Sequence, residues 1–131
     1  MAFAINHIHL KAPDPRKTAE WWVQAFNFEI VRDFVRDSGD RFVACTSENG
    51  ITVNISGAQD GETMGPGDAG VHEGLEHFGL DSENLETDIE RLTALGAELL
   101  DGPREAAPGV RICFLRCPDD VRIELIERTA S

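Results

Sequence analysis

Hydrophobic and polar positions alternate along the chain with two different periods, which predict its strands and helices. Residues 5–12 alternate apolar and polar side chains and predict a strand that ends at Pro13. A helix is predicted next, because Asp14 can cap it, Pro15 suits its first turn, and 19–26 carry an apolar stripe. Polar, glycine-containing turns then separate three further predicted strands, at about 28–36, 41–46 and 50–56.

The same series of elements is predicted a second time after a glycine-rich segment. Residues 57–74 are polar and show no periodicity, which predicts a flexible joint and a candidate lid. A strand is predicted over 75–81, followed by a helix over 85–95 that Asn84 caps and Gly96 ends. The remainder is predicted to contain short strands at about 97–100, 110–116 and 121–127, with a second mobile loop at 102–109.

The two series form an internal repeat. Sliding the sequence by 70 residues places His7 on His77 and Asn54 on Glu124, with Asn54 and Glu124 each inside an apolar strand pattern. A repeated unit must bury its open face against its twin, so matching strand positions can converge on one cavity. The predicted fold class is α+β, with tandem βαβββ modules forming a curved mixed sheet around a metal-binding cup. We expect a single domain over 1–131, with module 1 at about 1–57 and module 2 at about 75–131.

Glu124 is the carboxylate of this repeat. Ile123 and Leu125 face the core of the predicted strand, so Glu124 points to the opposite face. A carboxylate between apolar strand residues is costly unless it meets a charged partner or a metal. The plainer alternative, which one strand alone would favour, is that Glu124 faces solvent like Arg122 and Glu127.

The repeat changes this balance, because it brings His7, His77 and Glu124 to symmetry-related positions. A single histidine near an apolar strand is more often a satisfied core residue than a ligand. Two histidines and one carboxylate, however, are a facial ligand set with open positions, which is associated with non-haem Fe(II). The same set can hold Mn, Ni, Co or Zn. We therefore expect one divalent metal per chain, with Fe(II) favoured.

Composition excludes several classes of partner. The 131 residues are 41% apolar and 27% charged, which is ordinary for one compact globular domain. A net charge of −12 argues against a nucleic acid or an anionic membrane surface as partner. There is no apolar run of about 20 residues and no basic region in 1–6 of the kind a signal peptide needs. The odd set Cys45, Cys113 and Cys117 lacks zinc-finger spacing, so we expect buried, reduced thiols and a cytoplasmic location.

Three stretches of the chain resemble the vicinal oxygen chelate superfamily. They are His7-Ile8-His9-Leu10 through Asp14, Gly74-Leu75-Glu76-His77-Phe78-Gly79-Leu80, and the ending from Pro118 to Glu127 that contains Ile-Glu-Leu. The superfamily includes glyoxalase I, methylmalonyl-CoA epimerase, extradiol dioxygenases, fosfomycin-resistance thiol transferases and bleomycin-binding proteins. The resemblance covers nearly the whole chain.

The resemblance implies a role for each candidate residue. His7, His77 and Glu124 fall on the metal positions of the family. Asn54 stands where glyoxalase I and the epimerase have a Glu or Gln, and its shorter amide is a poorer ligand, so we expect it to orient water or substrate. His9 shares the strand face of His7 and falls on a position that commonly touches substrate. It is interpreted as a general base or a hydrogen-bonding group, with a packing histidine as the equal alternative.

Three functions remain open for a protein of this family. The first is a metalloenzyme that chelates vicinal oxygens of a small organic substrate, with a slight preference for Fe(II) dioxygenase chemistry over glyoxalase- or epimerase-like lyase or isomerase chemistry. The second is an antibiotic-resistance thiol transferase, ranked lower because the cations expected near the cavity, Arg104 and Arg111, are few. The third is a metal-free drug-binding protein. We also expect a homodimer, with Trp21 and Trp22 on the first helix either packing it or forming the contact.

Overall fold

The computed structural model describes residues 2–129 of the chain. The chain divides into two compact units, one up to Gly65 and one from Pro66 onwards. This division lies inside the glycine-rich segment 57–74. Within residues 2–129, no helix is long and apolar enough to cross a membrane.

The first unit is one helix packed on a four-stranded mixed sheet. Its elements are β1 (His7–Lys11), α1 (Pro15–Phe26), β2 (Glu29–Val35), β3 (Arg41–Thr46) and β4 (Thr52–Ser56). The sheet order is β1-β4-β3-β2, with β1 parallel to β4 and the other pairs antiparallel. The Asp14 side chain accepts a hydrogen bond from the Lys17 backbone, which confirms the predicted cap of α1.

Alternating residues of this sheet separate a buried face from an open face. Val53 and Ile55 of β4 are 2% and 0% exposed and lie on the face covered by α1. Trp22 of α1 is fully buried and stacks on Phe28 with ring centroids 5.5 Å apart. Trp22 is therefore a core residue of its own unit, which confirms the packing alternative for this residue and not the dimer contact.

The second unit repeats the topology of the first. Its elements are β5 (Phe78–Asp81), α2 (Leu85–Ala94), β6 (Glu98–Ala107), β7 (Val110–Cys117), a short 3₁₀ turn (Pro118–Asp120) and β8 (Val121–Arg128). The sheet order is β5-β8-β7-β6, with β5 parallel to β8. The α+β class and the two βαβββ modules predicted from the sequence are thereby confirmed.

The predicted mobile loop at 102–109 is wrong, because β6 continues through it as far as Ala107. The strand accommodates Gly102 and Pro103 by a break in its pairing with β7 between Asp101 and Arg104. Gly102 has φ +91°, and a side chain there would lie 2.7 Å from the Ile112 carbonyl oxygen. Glycine and proline here mark an irregularity within a strand and not its end.

Candidate metal and substrate site

His77 and Glu124 of the second unit lie close together on the open face of its sheet. Glu124 occupies β8 opposite Gly79 of β5, and His77 directly precedes that strand. Ile123 and Leu125 are 0% and 1% exposed, so Glu124 faces away from the core as predicted. His77 Nε2 lies 3.7 Å from Glu124 Oε1. Two ligand atoms each about 2.1 Å from one ion can be at most about 4.2 Å apart, so this spacing fits a shared divalent ion.

The other nitrogen of His77 is held by the preceding residue. His77 Nδ1 lies 2.9 Å from Glu76 Oε1. Because a carboxylate can only accept, Nδ1 carries a proton, and in the neutral imidazole Nε2 then has the lone pair. This hydrogen bond lowers the pKa of Glu76, with the nearby Arg122 guanidinium acting in the same direction. A carboxylate that holds a histidine in this way is a frequent partner of metal-binding histidines.

The first unit repeats this arrangement at His7. His7 Nδ1 makes a hydrogen bond to Asn6 Oδ1, the side chain of the residue before it. The amide oxygen is an acceptor, so Nδ1 donates and Nε2 again keeps its lone pair. The 70-residue offset that pairs His7 with His77 also pairs Asn6 with Glu76. Both predicted histidine ligands are therefore presented as the same tautomer.

His9 and Asn54 are neighbours on the open face of the first sheet. They face each other across the parallel pair β1 and β4. His9 packs edge-on against Phe42 with ring centroids 5.6 Å apart. Partial burial, followed by the positive charges of Lys11 and Arg36, lowers the pKa of His9. At the corresponding position the second unit has Gly79 opposite Glu124, so only the first unit places two neutral polar side chains there.

Arg122 is a residue of this region that the sequence reading missed. It was expected to face solvent, yet its side chain is only 9% exposed. Its guanidinium carbon lies 4.4 Å from the centre of the Phe114 ring, and Phe114 also packs edge-on against His77. Its Nη1 donates to the Ala69 carbonyl at 2.9 Å, and its Nε lies 3.5 Å from Glu76 Oε1. Arg122 thus connects the glycine-rich segment to the carboxylate that holds His77.

The basic residues expected near a cavity are neutralised by carboxylates. Arg111 pairs with Glu86 of α2 and with Glu127, so it faces the helix and not the open face of the sheet. Arg104 pairs with Asp101 at 3.2 Å. Glu127 also accepts from the Leu85 backbone nitrogen, so its expected exposure to solvent is wrong as well.

An open cavity of about 680 Å³ lies in the second unit beside Arg122. This volume is in the range of small-molecule pockets, roughly 300–1,000 Å³. Part of its wall is the segment 67–71, which Arg122 holds through Ala69. His72 follows that segment and is half-buried, with its two ring nitrogens 2.8 Å and 3.1 Å from the Gly70 and Leu75 carbonyl oxygens.

The cysteines supply no chemistry to the site. Cys45, Cys113 and Cys117 are free and buried, as predicted. Burial raises the pKa of the Cys45 and Cys113 thiols to about 11 and that of Cys117 further. Within either unit, over residues 2–129, no three His, Cys, Asp or Glu side chains come close enough together to hold a metal ion.

Comparison with known proteins places this fold among related structures. A glyoxalase family protein from Bacillus cereus is 14% identical over 99% of this chain and 97% of its own, with a TM-score of 0.86. A glyoxylase/bleomycin resistance protein/dioxygenase domain from Frankia sp. EAN1pec is 20% identical over 100% and 96%, with a TM-score of 0.77. The fosfomycin resistance protein FosX of Listeria monocytogenes is 22% identical over 98% and 96%, with a TM-score of 0.75.

Sequence comparison identifies the family directly. A search of curated proteins finds no significant match. The sequence profile of the Glyoxalase/Bleomycin resistance protein/Dioxygenase superfamily, in contrast, matches residues 4–125. This match covers nearly the whole chain and both units of the repeat. The chain belongs to the glyoxalase/bleomycin resistance protein/dioxygenase superfamily.

Proposed function

We propose that this protein is a metalloenzyme that binds one divalent ion through His7, His77 and Glu124 and chelates vicinal oxygens of a small organic substrate. The observation that carries the proposal is the 3.7 Å separation of His77 Nε2 and Glu124 Oε1, with Glu76 holding the opposite ring nitrogen. Within the described part of the second unit, residues 66–129, no third candidate ligand joins this pair, so we assign the third ligand to the first unit. His7, presented as the same tautomer at the matching repeat position, is that ligand.

In this proposal the side chains of the site hold the ion and orient the substrate that the ion activates. A divalent ion at these ligands acts as a Lewis acid toward substrate oxygens. Glu76 and Asn6 hold Nδ1 of the two histidines, which leaves Nε2 of each ring for the ion. Asn54, half-buried beside His9, is suited to orient water or a substrate oxygen through its amide.

Within this class we favour Fe(II)-dependent oxygen chemistry. Two histidines and one carboxylate leave open positions at which substrate and dioxygen can bind, the arrangement associated with non-haem Fe(II). Asn54 supports this assignment because its amide oxygen replaces the stronger fourth ligand of glyoxalase-like relatives. A lyase or isomerase reaction is the alternative. Mn(II) is a further candidate ion, since FosX has been solved with Mn(II) and 1S,2S-dihydroxypropylphosphonic acid.

The alternative function of an antibiotic-resistance thiol transferase, which would have to bind a phosphonate, receives little support from this chain. Recognition of a phosphonate needs cationic side chains that are free to bind it. Arg104 and Arg111 are instead paired with carboxylates of their own unit.

The other alternative is a metal-free drug-binding protein. It is excluded if the purified protein contains a stoichiometric ion.

Metal analysis of the full chain purified without chelator tests the proposal. We expect about one divalent ion per chain in the unmodified protein and a large loss of metal in Glu124→Gln, since the variant lacks the only anionic ligand. Glu105→Gln is the matched control, because Glu105 is an exposed carboxylate of β6. Full metal occupancy in Glu124→Gln would show that Glu124 is no ligand.

Activity measurements then separate the two reaction subclasses. The iron-loaded protein is screened for oxygen consumption with catechols and other vicinal dioxygenated compounds. Oxygen uptake that depends on both iron and substrate supports the dioxygenase assignment. Conversion of an α-keto hemithioacetal or an epimerisable thioester without oxygen uptake would replace that assignment with lyase or isomerase chemistry.

A further inference from the structure

Three polar side chains of the first unit form a hydrogen-bonded relay, namely Lys11, Ser56 and His9. Lys11 Nζ donates to Ser56 Oγ at 3.0 Å and to the Gly57 carbonyl at 3.0 Å. His9 Nε2 lies 2.7 Å from the same Ser56 Oγ. The strand register produces this grouping, because Lys11 faces Ser56 across β1 and β4 and His9 lies two residues earlier on the same face.

The direction of each hydrogen bond in the relay follows from the donors and acceptors. An ammonium group can only donate, so Ser56 Oγ accepts from Lys11. Ser56 is 0% exposed, so its own hydrogen cannot go to water, and His9 Nε2 is the acceptor within reach. Nε2 therefore accepts, and the ring proton of His9 lies on Nδ1.

We propose that Lys11 and Ser56 are positioning residues that hold His9 as a neutral imidazole with its proton on Nδ1, so that Nδ1–H is available as a hydrogen-bond donor to the substrate. The inference rests on the proposed function, because it assigns His9 a role toward the same substrate. His9 is exposed, and its Nδ1 has no hydrogen-bond partner in residues 2–129, so this donor is available. A ring nitrogen that already carries a proton cannot take another, so His9 acts as a donor and not as the general base.

The relay distinguishes His9 from the two proposed metal ligands, His7 and His77. His7 and His77 have a proton on Nδ1 and a free lone pair on Nε2, which suits a metal ligand. His9 has the same tautomer, but its Nε2 lone pair is occupied by Ser56. The three histidines therefore differ in the group that is free to bind a partner. His7 and His77 have a free lone pair for a metal ion, whereas His9 has a free N–H donor.

Nitrogen NMR measures the tautomer directly. Long-range ¹H–¹⁵N spectra are recorded on the full chain, without metal and with Zn(II), at a pH where His9 is neutral. The His9 signals are identified by their loss in His9→Gln. We expect Nδ1 to show the shift of a protonated ring nitrogen and Nε2 that of an unprotonated one. A proton on Nε2 in the unmodified protein would overturn the proposal.

Two variants test the roles of Ser56 and Lys11. Ser56→Ala removes the donor to Nε2 and should reduce the preference for the Nδ1–H tautomer about fivefold, the equivalent of one neutral hydrogen bond of about 1 kcal/mol. Lys11→Met leaves the hydroxyl free to accept from Nε2–H, so the preference should fall in the same direction, while Lys11→Arg retains the donor and the preference. Ser47→Ala is the matched control, because Ser47 is a turn hydroxyl of the same unit without contact to His9.

Metal analysis keeps this inference separate from the proposed function. Ser56→Ala should keep the metal stoichiometry of the unmodified protein, because neither Ser56 nor Lys11 is a proposed ligand. An unchanged His9 tautomer in both Ser56→Ala and Lys11→Met, or loss of metal together with an unchanged tautomer, would overturn the relay. Absence of metal from the unmodified protein would overturn the proposed function, whereas the tautomer measurement would still decide the relay.

Discussion

At the scale of single residues, the partner of one histidine nitrogen determines what the other nitrogen can do. Glu76 and Asn6 accept hydrogen bonds from Nδ1–H of His77 and His7, so Nε2 of each neutral ring has a free lone pair. The 70-residue offset that pairs the histidines also pairs these two partners. The signal for them was therefore present in the sequence, although strand periodicity alone does not reveal a contact between adjacent residues.

Removing the carboxylate that holds His77 should weaken metal binding without removing a ligand. Glu76→Ala leaves the Nδ1 proton without its acceptor, so we expect a loss of about 10–100-fold in metal affinity. The stoichiometry at saturating metal should stay at that of the unmodified protein. Competition with a chromophoric chelator measures both quantities. Glu73→Ala removes an exposed carboxylate three residues away and controls for net charge; an equal loss in both variants would contradict the role of Glu76.

The burial of Arg122 and Glu127 could not be predicted from the sequence. Both lie on β8 next to apolar residues and read as ordinary solvent-facing charges in the sequence. Arg122 is buried because Phe114 and the Ala69 carbonyl meet it from β7 and from the glycine-rich segment. Glu127 is covered because the backbone nitrogen of Leu85 needs an acceptor at the start of α2. These partners are distant in sequence, so the pattern of β8 alone does not predict them.

At the scale of elements, α1 is held to its sheet by one of its two tryptophans. Trp22 is 0% exposed and packs between Phe26 and Phe28, whereas Trp21 is only half-buried. The apolar stripe in the sequence predicts the helix and its buried side. It does not show that neighbouring tryptophans fall on opposite sides of the boundary between core and surface.

Truncation of the two tryptophans should therefore have unequal costs. Trp22→Ala should lower the free energy of unfolding by roughly 3–5 kcal/mol, because it leaves a large cavity under α1. Trp21→Ala should cost clearly less, since its ring is already partly in water. Urea unfolding followed by far-UV circular dichroism compares the two variants. Equal losses would show that α1 is not anchored mainly through Trp22.

The segment before β5 is expected to respond to pH through His72. A neutral imidazole has a single N–H, so both carbonyl contacts are satisfied only in the imidazolium form. The hydrogen bonds to Gly70 and then Leu75 raise the pKa of His72 above 6.5, and Asp68 and Glu76 act in the same direction. The stabilisation is therefore complete below the unfolded pKa and is lost as pH rises through the raised folded value.

An NMR titration checks this behaviour of His72. The ring of His72 should titrate above pH 6.5, and the amide signals of Gly70 and Leu75 should move with the same midpoint. His72→Gln, which lacks a titrating ring, should abolish the shared midpoint. A His72 pKa at or below the ordinary value would show that the two carbonyl contacts do not hold the imidazolium.

At the scale of the whole molecule, the repeat accounts for most of what could be predicted. It predicts both βαβββ modules and places Glu124 on the face opposite Ile123 and Leu125, as the structure confirms. The length of β6 could not be predicted, because Gly102 and Pro103 ordinarily mark a turn, and only pairing with β7 keeps them in the strand. The homodimer remains a prediction, and with Trp22 buried any apolar contact on α1 would use its half-buried residues Trp21, Val23 and Phe26.

The proposed ion, with His7 from the first unit and His77 and Glu124 from the second as its ligands, should link the stabilities of the two units. A ligand that binds only the folded state raises the free energy of unfolding by about 2.7 kcal/mol at a free concentration about 100 times Kd. The 2 tryptophans, Trp21 and Trp22, both lie in the first unit, so intrinsic fluorescence reports the unfolding of that unit alone.

Metal should shift this fluorescence transition to higher urea concentration. Glu124→Gln in the second unit should abolish the shift, and so should His7→Ala in the first. Glu105→Gln should retain it. If metal still stabilised the first unit in Glu124→Gln, the ion would be held without the carboxylate of the second unit, and the shared ligand set would be wrong.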